Sequence, residues 1–470
     1  MFLSTRNYDY LYKFIVGSSK ISCENIQKKK LDLLLFKRKR FPSINFIIFF
    51  IYILLSGKIF KKDRAKLIYN NIEIGRFILS TTYFNFETYI SKIAFYKKLF
   101  KDFLAAGSIL RTCEYYYKNF DIKGAYVDHC GYLNGIIYSY FSQKKISVYT
   151  NNYPHGIFFV NHKNNKKKYL EKYENAIRIN LKKNISQNQK KQAQKKISKL
   201  TKKKNFIPWL QQLKFKNIKK LDYKKFDYII YAHSFTDGQM WYGYSGFENT
   251  LEWLEYTLNF FINSKKNILV KPHPNFYNKS LSIYAEWDEK IYNIIKKKYK
   301  KFSNITFLHE PIQNYQLLKK LDRKKCIAIT KYSSAILELA FMNFKIICSE
   351  SNFYHSKFKI SNRWNSEKQY ENLLKTNFAK LIYPIKSDLE KLVYTLFFIY
   401  NSVYNVNSYF ETIICKNLNI TSKQFYDLTY VKARSKNINK SKITKLDNLI
   451  GNKLELINKE ISKSAWEVKI

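Results

Sequence analysis

The chain has 470 residues, with 84 Lys and Arg against 35 Asp and Glu, a formal net charge of +49. Hydrophobic residues make up 46%, so a large core and two or three domains are within reach. The charge points to an anionic partner, namely nucleic acid, a membrane surface or a phosphorylated substrate. Part of the excess follows from a composition rich in Lys, Asn, Ile, Tyr and Phe and poor in Gly and Pro, as an AT-rich genome gives.

From Met1 to Gly17 there is no basic segment followed by a long apolar core, so no signal peptide is expected. The six cysteines form no Cys-x-x-Cys pair, and no His/Cys spacing suits zinc. They read as free thiols of a reducing compartment, not a disulfide framework.

Phe46–Leu55 is the strongest apolar run, bracketed by Lys37–Arg40 and by Lys58, Lys61 and Lys62. It is too short to span a bilayer. It reads either as a buried element or as an in-plane membrane anchor with basic flanks. Residues 65–105 read as helical, with Leu67, Ile68, Ile72, Ile74, Phe77 and Ile78 forming an irregular apolar face.

Gly124–Val127 reads as a strand ending at Asp128 and His129; Asn134–Phe141 reads as a helix and Ile146–Tyr149 as the next strand. A carboxylate or imidazole at such a strand end can accept a proton from a bound hydroxyl, or simply be a polar turn. His155, after Pro154, is a rival candidate on the next loop. Residues 160–222 are lysine-rich and read as helices and linker between two halves, with Trp209 and Leu210 as a docking point.

A second alternation opens with the strand Phe226–His233, the loop Ser234–Gly238 and the helix Thr250–Asn263. Ile268-Leu269-Val270-Lys271-Pro272-His273-Pro274 follows. Its apolar strand must stop at the prolines, which donate no ladder hydrogen bond. In an open parallel sheet ligands bind at that end of the strands, which makes His273 a candidate ligand residue. After the strand Asn304–Leu308, the segment Cys326–Thr330, Lys331-Tyr332-Ser333-Ser334, Ala335–Met342 and Lys345–Cys348 reads as one βαβ unit. Ser333-Ser334 offers hydroxyls and backbone N–H groups to a phosphate, or an ordinary helix cap. Ser349–Ser366 reads as an aromatic loop, residues 385–402 as an apolar helix, and the chain beyond about Tyr430 as a polar tail.

Lys-Pro-His-Pro on one strand end and Ser-Ser-Ala-x-x-Glu on a later one, within residues 225–350, resemble the C-terminal half of bacterial capsule-polysaccharide glycosyltransferases. The similar sets include Kdo and sialyl transferases and the teichoic-acid glycerophosphotransferases. The resemblance implies an α/β fold of two Rossmann-like domains facing a central cleft (GT-B), with extra N-terminal and C-terminal helices. On this reading residues 1–215 are an acceptor domain, 216–400 the nucleotide-donor domain, and 401–470 C-terminal helices and tail.

Carried over, the resemblance gives Lys271, His273, Ser333 and Ser334 to the phosphate of a CMP-, CDP- or UDP-linked donor and Glu338 to its ribose. Asp237 and Gly238 would approach that phosphate, Asp128 and His129 would face the cleft as catalytic candidates, and Arg76 with His155 would serve the acceptor. The Arg76 segment, Leu67 to Arg76, carries the acceptor resemblance; an ordinary surface arginine is the other reading. No Asp-x-Asp pair is present, which fits metal-independent transfer with no resident cofactor.

The expected partners are the nucleotide-sugar donor, a glycan or lipid-linked acceptor, the anionic inner face of the plasma membrane and capsule assembly proteins. The expected location is cytoplasmic and peripheral. A CDP-glycerol-type glycerophosphotransferase is the neighbouring alternative. A non-catalytic nucleic-acid-binding protein is the other class, but the sequence has no RNP pattern, zinc knuckle or helix-turn-helix.

Overall fold

The strand–helix alternation expected for both halves is present. A computed structural model describes residues 2–4, 33–35, 38–122, 124–127, 131–150, 184–201, 221–240, 243–277, 284–309, 312–350 and 358–394. In chain order the strands and helices begin with β1 (Phe2–Ser4), β2 (Leu33–Leu35), α1 (Ile44–Leu55), β3 (Ile68–Tyr69), β4 (Ile72–Glu73) and α2 (Gly75–Thr82). There follow α3 (Glu87–Ile90), α4 (Lys92–Asn119), β5 (Gly124–Val127), α5 (Asn134–Gln143), β6 (Ser147–Thr150) and α6 (Gln187–Thr201). Then come β7 (Tyr228–Tyr231), α7 (Thr250–Phe261), β8 (Ile268–Lys271), α8 (Tyr284–Tyr299), β9 (Ile305–Phe307) and α9 (Asn314–Lys320). The last are β10 (Ile327–Thr330), α10 (Ala335–Phe341), β11 (Lys345–Ser349), β12 (Asn362–Trp364), α11 (Glu367–Lys375) and α12 (Lys386–Tyr394).

The chain divides into two compact units: residues 1–49, 104–168 and 399–470 form the first, and 50–103 with 169–398 the second. The first holds a parallel sheet of order β2-β1-β5-β6. The second holds a six-stranded parallel sheet of order β12-β11-β10-β7-β8-β9. Numbered within the unit, that order is the Rossmann order 3-2-1-4-5-6 read from the other edge, and it reverses between β7 and β10. All residues of β7, β8, β10 and β11 are buried, as strands covered on both faces require.

The core of this second sheet is aromatic as well as aliphatic. Trp253 of α7 and Trp364 of β12 are fully buried with near-parallel rings, and Tyr370 of α11 packs 4.4 Å from Trp364. The Tyr370 hydroxyl meets Thr257 Oγ1 at 2.6 Å, so its polar tip is satisfied inside the core.

Two expectations change. Residues 65–105 are not one helical stretch, because Asn70 and Asn71 both take positive φ (48° and 62°) and turn β3 into β4. Asparagine tolerates that region where most residues do not, so an Asn-Asn pair between Ile-Tyr and Ile-Glu makes a two-residue hairpin. The expected loop from Ser349 to Ser366 contains β12, whose Asn362 and Arg363 hide a strand that only Trp364 anchors in the core.

Residues 50–103, placed in the N-terminal domain by sequence, group with the second unit. The contacts show why. Arg64 donates through Nε and Nη2 to both carboxylate oxygens of Glu248, at 2.8 and 2.6 Å, and the Tyr83 hydroxyl donates to the same carboxylate at 2.9 Å. Tyr89 donates to the Phe235 carbonyl. In the same unit α6 and α12 are joined by Gln189 Nε2 to the Tyr394 hydroxyl and by Gln194 Nε2 to Glu390. The expected helix 385–402 is thus present as α12 through Tyr394; the remainder, and the tail, lie outside the described residues.

Candidate functional site

The site is set by strand register. Tyr231 of β7 pairs with Lys271 of β8 and with Thr330 of β10, so three adjacent strands end level. Two residues further on come His233, His273 and Tyr332. Because side chains alternate along a strand, equal offsets from level ends bring these three to one side of the sheet edge. The rings of His233 and His273 lie 5.4 Å apart, and those of His233 and Tyr332 lie 5.7 Å apart, edge-on. His233 and Tyr332 flank the order reversal between β7 and β10, the crevice where doubly wound sheets bind ligands.

Both histidines are held below the ordinary histidine value. For His233 burial is the main cause and nearby Lys331 adds to it, against Asp237 and the Ser234 carbonyl, which favour the charged ring. His273 lies further below because burial, His233 and Lys271 all oppose its protonation. His233 Nδ1 is 3.2 Å from the Ser234 carbonyl oxygen. A carbonyl only accepts, so Nδ1 carries the proton and Nε2 has the lone pair in the neutral ring.

Two buried lysines stand behind the histidines. Lys271, the last residue of β8, is 6% exposed and is pushed down to about 8 by burial, with Glu338 opposing. Lys331 is fully buried and pushed down to about 7 by burial, against the pull of Glu252 and Glu248. Its ammonium donates to the carbonyls of Phe247 and Asn249, at 3.2 and 3.3 Å, so Lys331 holds the loop that leads into α7.

The Ser333-Ser334 turn divides its tasks. Ser333 Oγ, one position before the helix cap, accepts from the Ala335 N–H at 3.1 Å. Ser334 makes no side-chain cap bond, so its hydroxyl is not committed to the helix start. Glu338, one turn into α10, is raised by burial and receives a hydrogen bond from the Asn314 amide.

The loop after β7 is built around a carboxylate. Asp288 of α8, 1% exposed, accepts from Ser234 Oγ (2.5 Å), the Phe235 N–H (2.9 Å), the Thr236 N–H (3.0 Å) and Thr236 Oγ1 (3.0 Å). Burial pushes Asp288 up to about 7 while these four donors favour its charged form. Gln239 closes the loop by donating to the Ser234 and Asp237 carbonyls and accepting from the Thr250 N–H. Tyr332 reaches across from β10 and donates to the Gln239 carbonyl at 2.8 Å. Gly238 sits at φ 61°, where a side chain would strain the backbone. The first N–H groups of this loop are therefore spent on Asp288, and the half-buried Asp237, whose N–H donates to Ser234 Oγ, follows them.

Of the residues singled out by sequence, Lys271, His273, Ser333, Ser334, Asp237 and Gly238 lie on the loops or strand ends at this edge of the second sheet, and Glu338 lies in the first turn of α10. Arg76 is in α2, 4% exposed, with Nε 2.8 Å from Glu73 and its guanidinium over the Phe77 ring. It is a buried, internally paired arginine and not the surface residue of the alternative reading. Asp128, His129 and His155 lie outside the described residues. Among the described residues, no group of His, Cys, Asp and Glu is arranged to hold a metal ion.

Sequence reasoning missed His233, Lys331, Tyr332 and Asp288. The first three share a legible signal, since each lies one or two residues past a strand of the same sheet, as His273 does. Asp288 had none: it is one acid among several in a charged amphipathic helix.

No family model matches the chain, and no curated protein matches it. Among solved structures, the beta Kdo 2,4 transferase KpsC of Thermosulfurimonas dismutans overlaps 58% of this chain and 79% of its own, with 11% identity and a TM-score of 0.35. The UDP-GlcNAc 2-epimerase of Methanocaldococcus jannaschii, solved with UDP-GlcNAc and UDP, overlaps 84% of this chain and 98% of its own, with 11% identity and a TM-score of 0.25. A second structure of that epimerase gives 12% identity over the same shares, with a TM-score of 0.24. At such TM-scores nothing about this chain's activity follows from the overlap.

Proposed function

We propose that the chain is a GT-B glycosyltransferase of surface polysaccharide synthesis, of capsule or lipopolysaccharide type. It moves a sugar from a CMP-, CDP- or UDP-linked donor to a glycan or glycolipid acceptor, without a metal. The supporting observation is the approach of the His233 and His273 rings at one sheet edge, with Lys271 and the Ser333-Ser334 turn at the ends of the two strands that flank β7, beside the reversal of strand order. Imidazoles, an ammonium and hydroxyls in a half-buried crevice suit a phosphate whose negative charge grows as the sugar leaves.

In this reading His273 and Lys271 stabilise the departing phosphate, Ser334 donates a hydrogen bond to it and Glu338 holds the ribose. Asp128 or His129 takes the acceptor's proton. Residence in the cytoplasm at the inner face of the plasma membrane belongs to the same proposal and rests on the net charge of +49.

The test is a thermal-shift screen of the full chain over CMP, CDP, UDP and GDP, followed by donor hydrolysis with the best base. A nucleotide that binds only the folded state raises the melting temperature with concentration. The expected result is stabilisation by one pyrimidine nucleotide that His273→Ala reduces. No stabilisation by any of the four, or stabilisation unchanged in His273→Ala, ends the proposal.

A further inference from the structure

Helix α1 presents two apolar faces, and only one is used inside the protein. Phe46 and Ile53 are buried. Phe46 packs where Gly107 leaves room, since a Cβ there would come within 2.3 Å of the ring. Phe50 stacks on Phe103 at 5.3 Å and meets Phe100 edge-on. The opposite face carries Ile44, Ile47, Ile48, Ile51, Tyr52 and Leu55, spaced as one helical stripe. They are exposed, from 38% at Ile47 to 85% at Leu55. No residue of the helix is charged.

The ends of the helix differ sharply from its body. Arg38 and Arg40 precede it and Lys58, Lys61 and Lys62 follow it, all exposed. Lys62 shares its charge with Glu252 and Glu367, at 3.6 and 3.3 Å, and Asp63 is the acid nearest in sequence. The remaining cations bracket the stripe. Among the described residues no helix is long and apolar enough to cross a membrane. At 1.5 Å per residue α1 is about 18 Å long, well short of the roughly 30 Å hydrocarbon core.

An apolar stripe closed at both ends by cations, too short to span, fits one occupant best. We infer that α1 lies in the plane of an anionic phospholipid surface, with the Ile44–Leu55 stripe among the acyl chains and Arg38, Arg40, Lys58 and Lys61 at the phosphate level. Charge complementarity selects this occupant over a second copy of the chain, whose identical stripe would bring the same cations together. The inference rests on this helix alone. Vesicle binding is read without nucleotide, so its failure is distinct from failure of the transferase reading.

The experiment is co-sedimentation of the full chain with phosphatidylcholine vesicles, with and without phosphatidylglycerol. The expected result is preferential binding to the anionic vesicles. Ile48→Asp with Ile51→Asp removes two exposed isoleucines from the stripe and should lower partition by about a hundredfold or more. Ile48→Leu with Ile51→Leu should keep it. Arg40→Ser with Lys61→Ser should lower it by roughly tenfold. Unfolding curves of all variants should superimpose on that of the parent, because the altered side chains face solvent.

Three results overturn the inference. One is no sedimentation with anionic vesicles, as when another segment of the chain covers the stripe. Another is salt-reversible binding that ignores the Ile48 and Ile51 changes, which assigns attachment to surface charge alone. The third is a dimer, seen by light scattering, that Ile48→Asp dissolves.

Discussion

The imidazoles of His233 and His273 lie 5.4 Å apart, on neighbouring parallel strands and at equal distance past the strand ends. Both are held neutral by burial, and each cation nearby reinforces that. A phosphate beside them reverses the balance by favouring the charged rings. Nucleotide affinity should therefore rise as pH falls towards the ordinary histidine value of about 6.5, with proton uptake on binding. Calorimetry in buffers of different ionisation enthalpy reads that uptake. His233→Gln with His273→Gln should remove the imidazoles' share of the uptake, leaving that of Lys271, itself pushed down to about 8, and the ligand's own titration. Equal profiles for parent and variant would refute the coupling.

The same pair makes a stability prediction for the unliganded protein. Folded pKa values below the ordinary value of about 6.5 mean that the unfolded chain binds protons first as pH falls. The stability associated with the neutral pair is present above that value and is lost below it. Denaturant midpoints measured across this range should fall more steeply towards acid for the parent than for the double Gln variant.

Asp288 anchors the β7 loop through four donors. Asp288→Ala leaves buried N–H and O–H groups unpaired, at about 1–3 kcal/mol for each left unsatisfied. Urea unfolding should show a loss of at least about 3 kcal/mol, and nucleotide binding should weaken in whatever fraction remains folded. A variant as stable as the parent would show that the loop does not depend on this carboxylate.

Arg64 and Glu248 form a bidentate pair whose side chains are 12% and 5% exposed. Removing one partner strands the other. Arg64→Met or Glu248→Gln alone should cost about 3–5 kcal/mol, and the double variant less than the sum. Additive losses in the thermodynamic cycle would mean that the two side chains act separately.

For the proposed phosphate site, His273→Ala should weaken donor binding by about tenfold to a hundredfold, the worth of one charged hydrogen bond. Ser334→Ala should impair the same step, and the double variant should lose less than the two together. Steady-state kinetics then separates the roles: a fall in kcat as well as in donor affinity assigns His273 to the departing phosphate, and a change in KM alone assigns it to binding.

Much of the second sheet was legible because its strands are short apolar runs between turn signals, buried on both faces. Pro272 and Pro274 marked the end of β8, and Lys331 to Ser334 marked the end of β10. Strand order was not legible, and with it went His233: nothing local says that β7 lies between β8 and β10. The hairpin at Asn70 and Asn71 carried a readable signal that the surrounding helical periodicity concealed. Asp288 and the Arg64–Glu248 pair were out of reach, since a buried carboxylate is defined by partners 52 to 184 residues away in sequence. The apolar run of α1 was ambiguous because it is apolar all round, while only Phe46 and Ile53 are fully buried and the opposite side is exposed.

A single-codon deletion near the end of β8 should damage this sheet edge more than most replacements of either histidine. The histidine pair depends on matched counts: His233 is two positions past Tyr231, and His273 two positions past Lys271. Losing one residue would turn the His273 ring to the opposite face while leaving the apolar strand pairing intact. Members of a mutant library that carry substitutions here should grade smoothly in function. Those that carry one-residue length changes should fold and yet have no histidine pair at all.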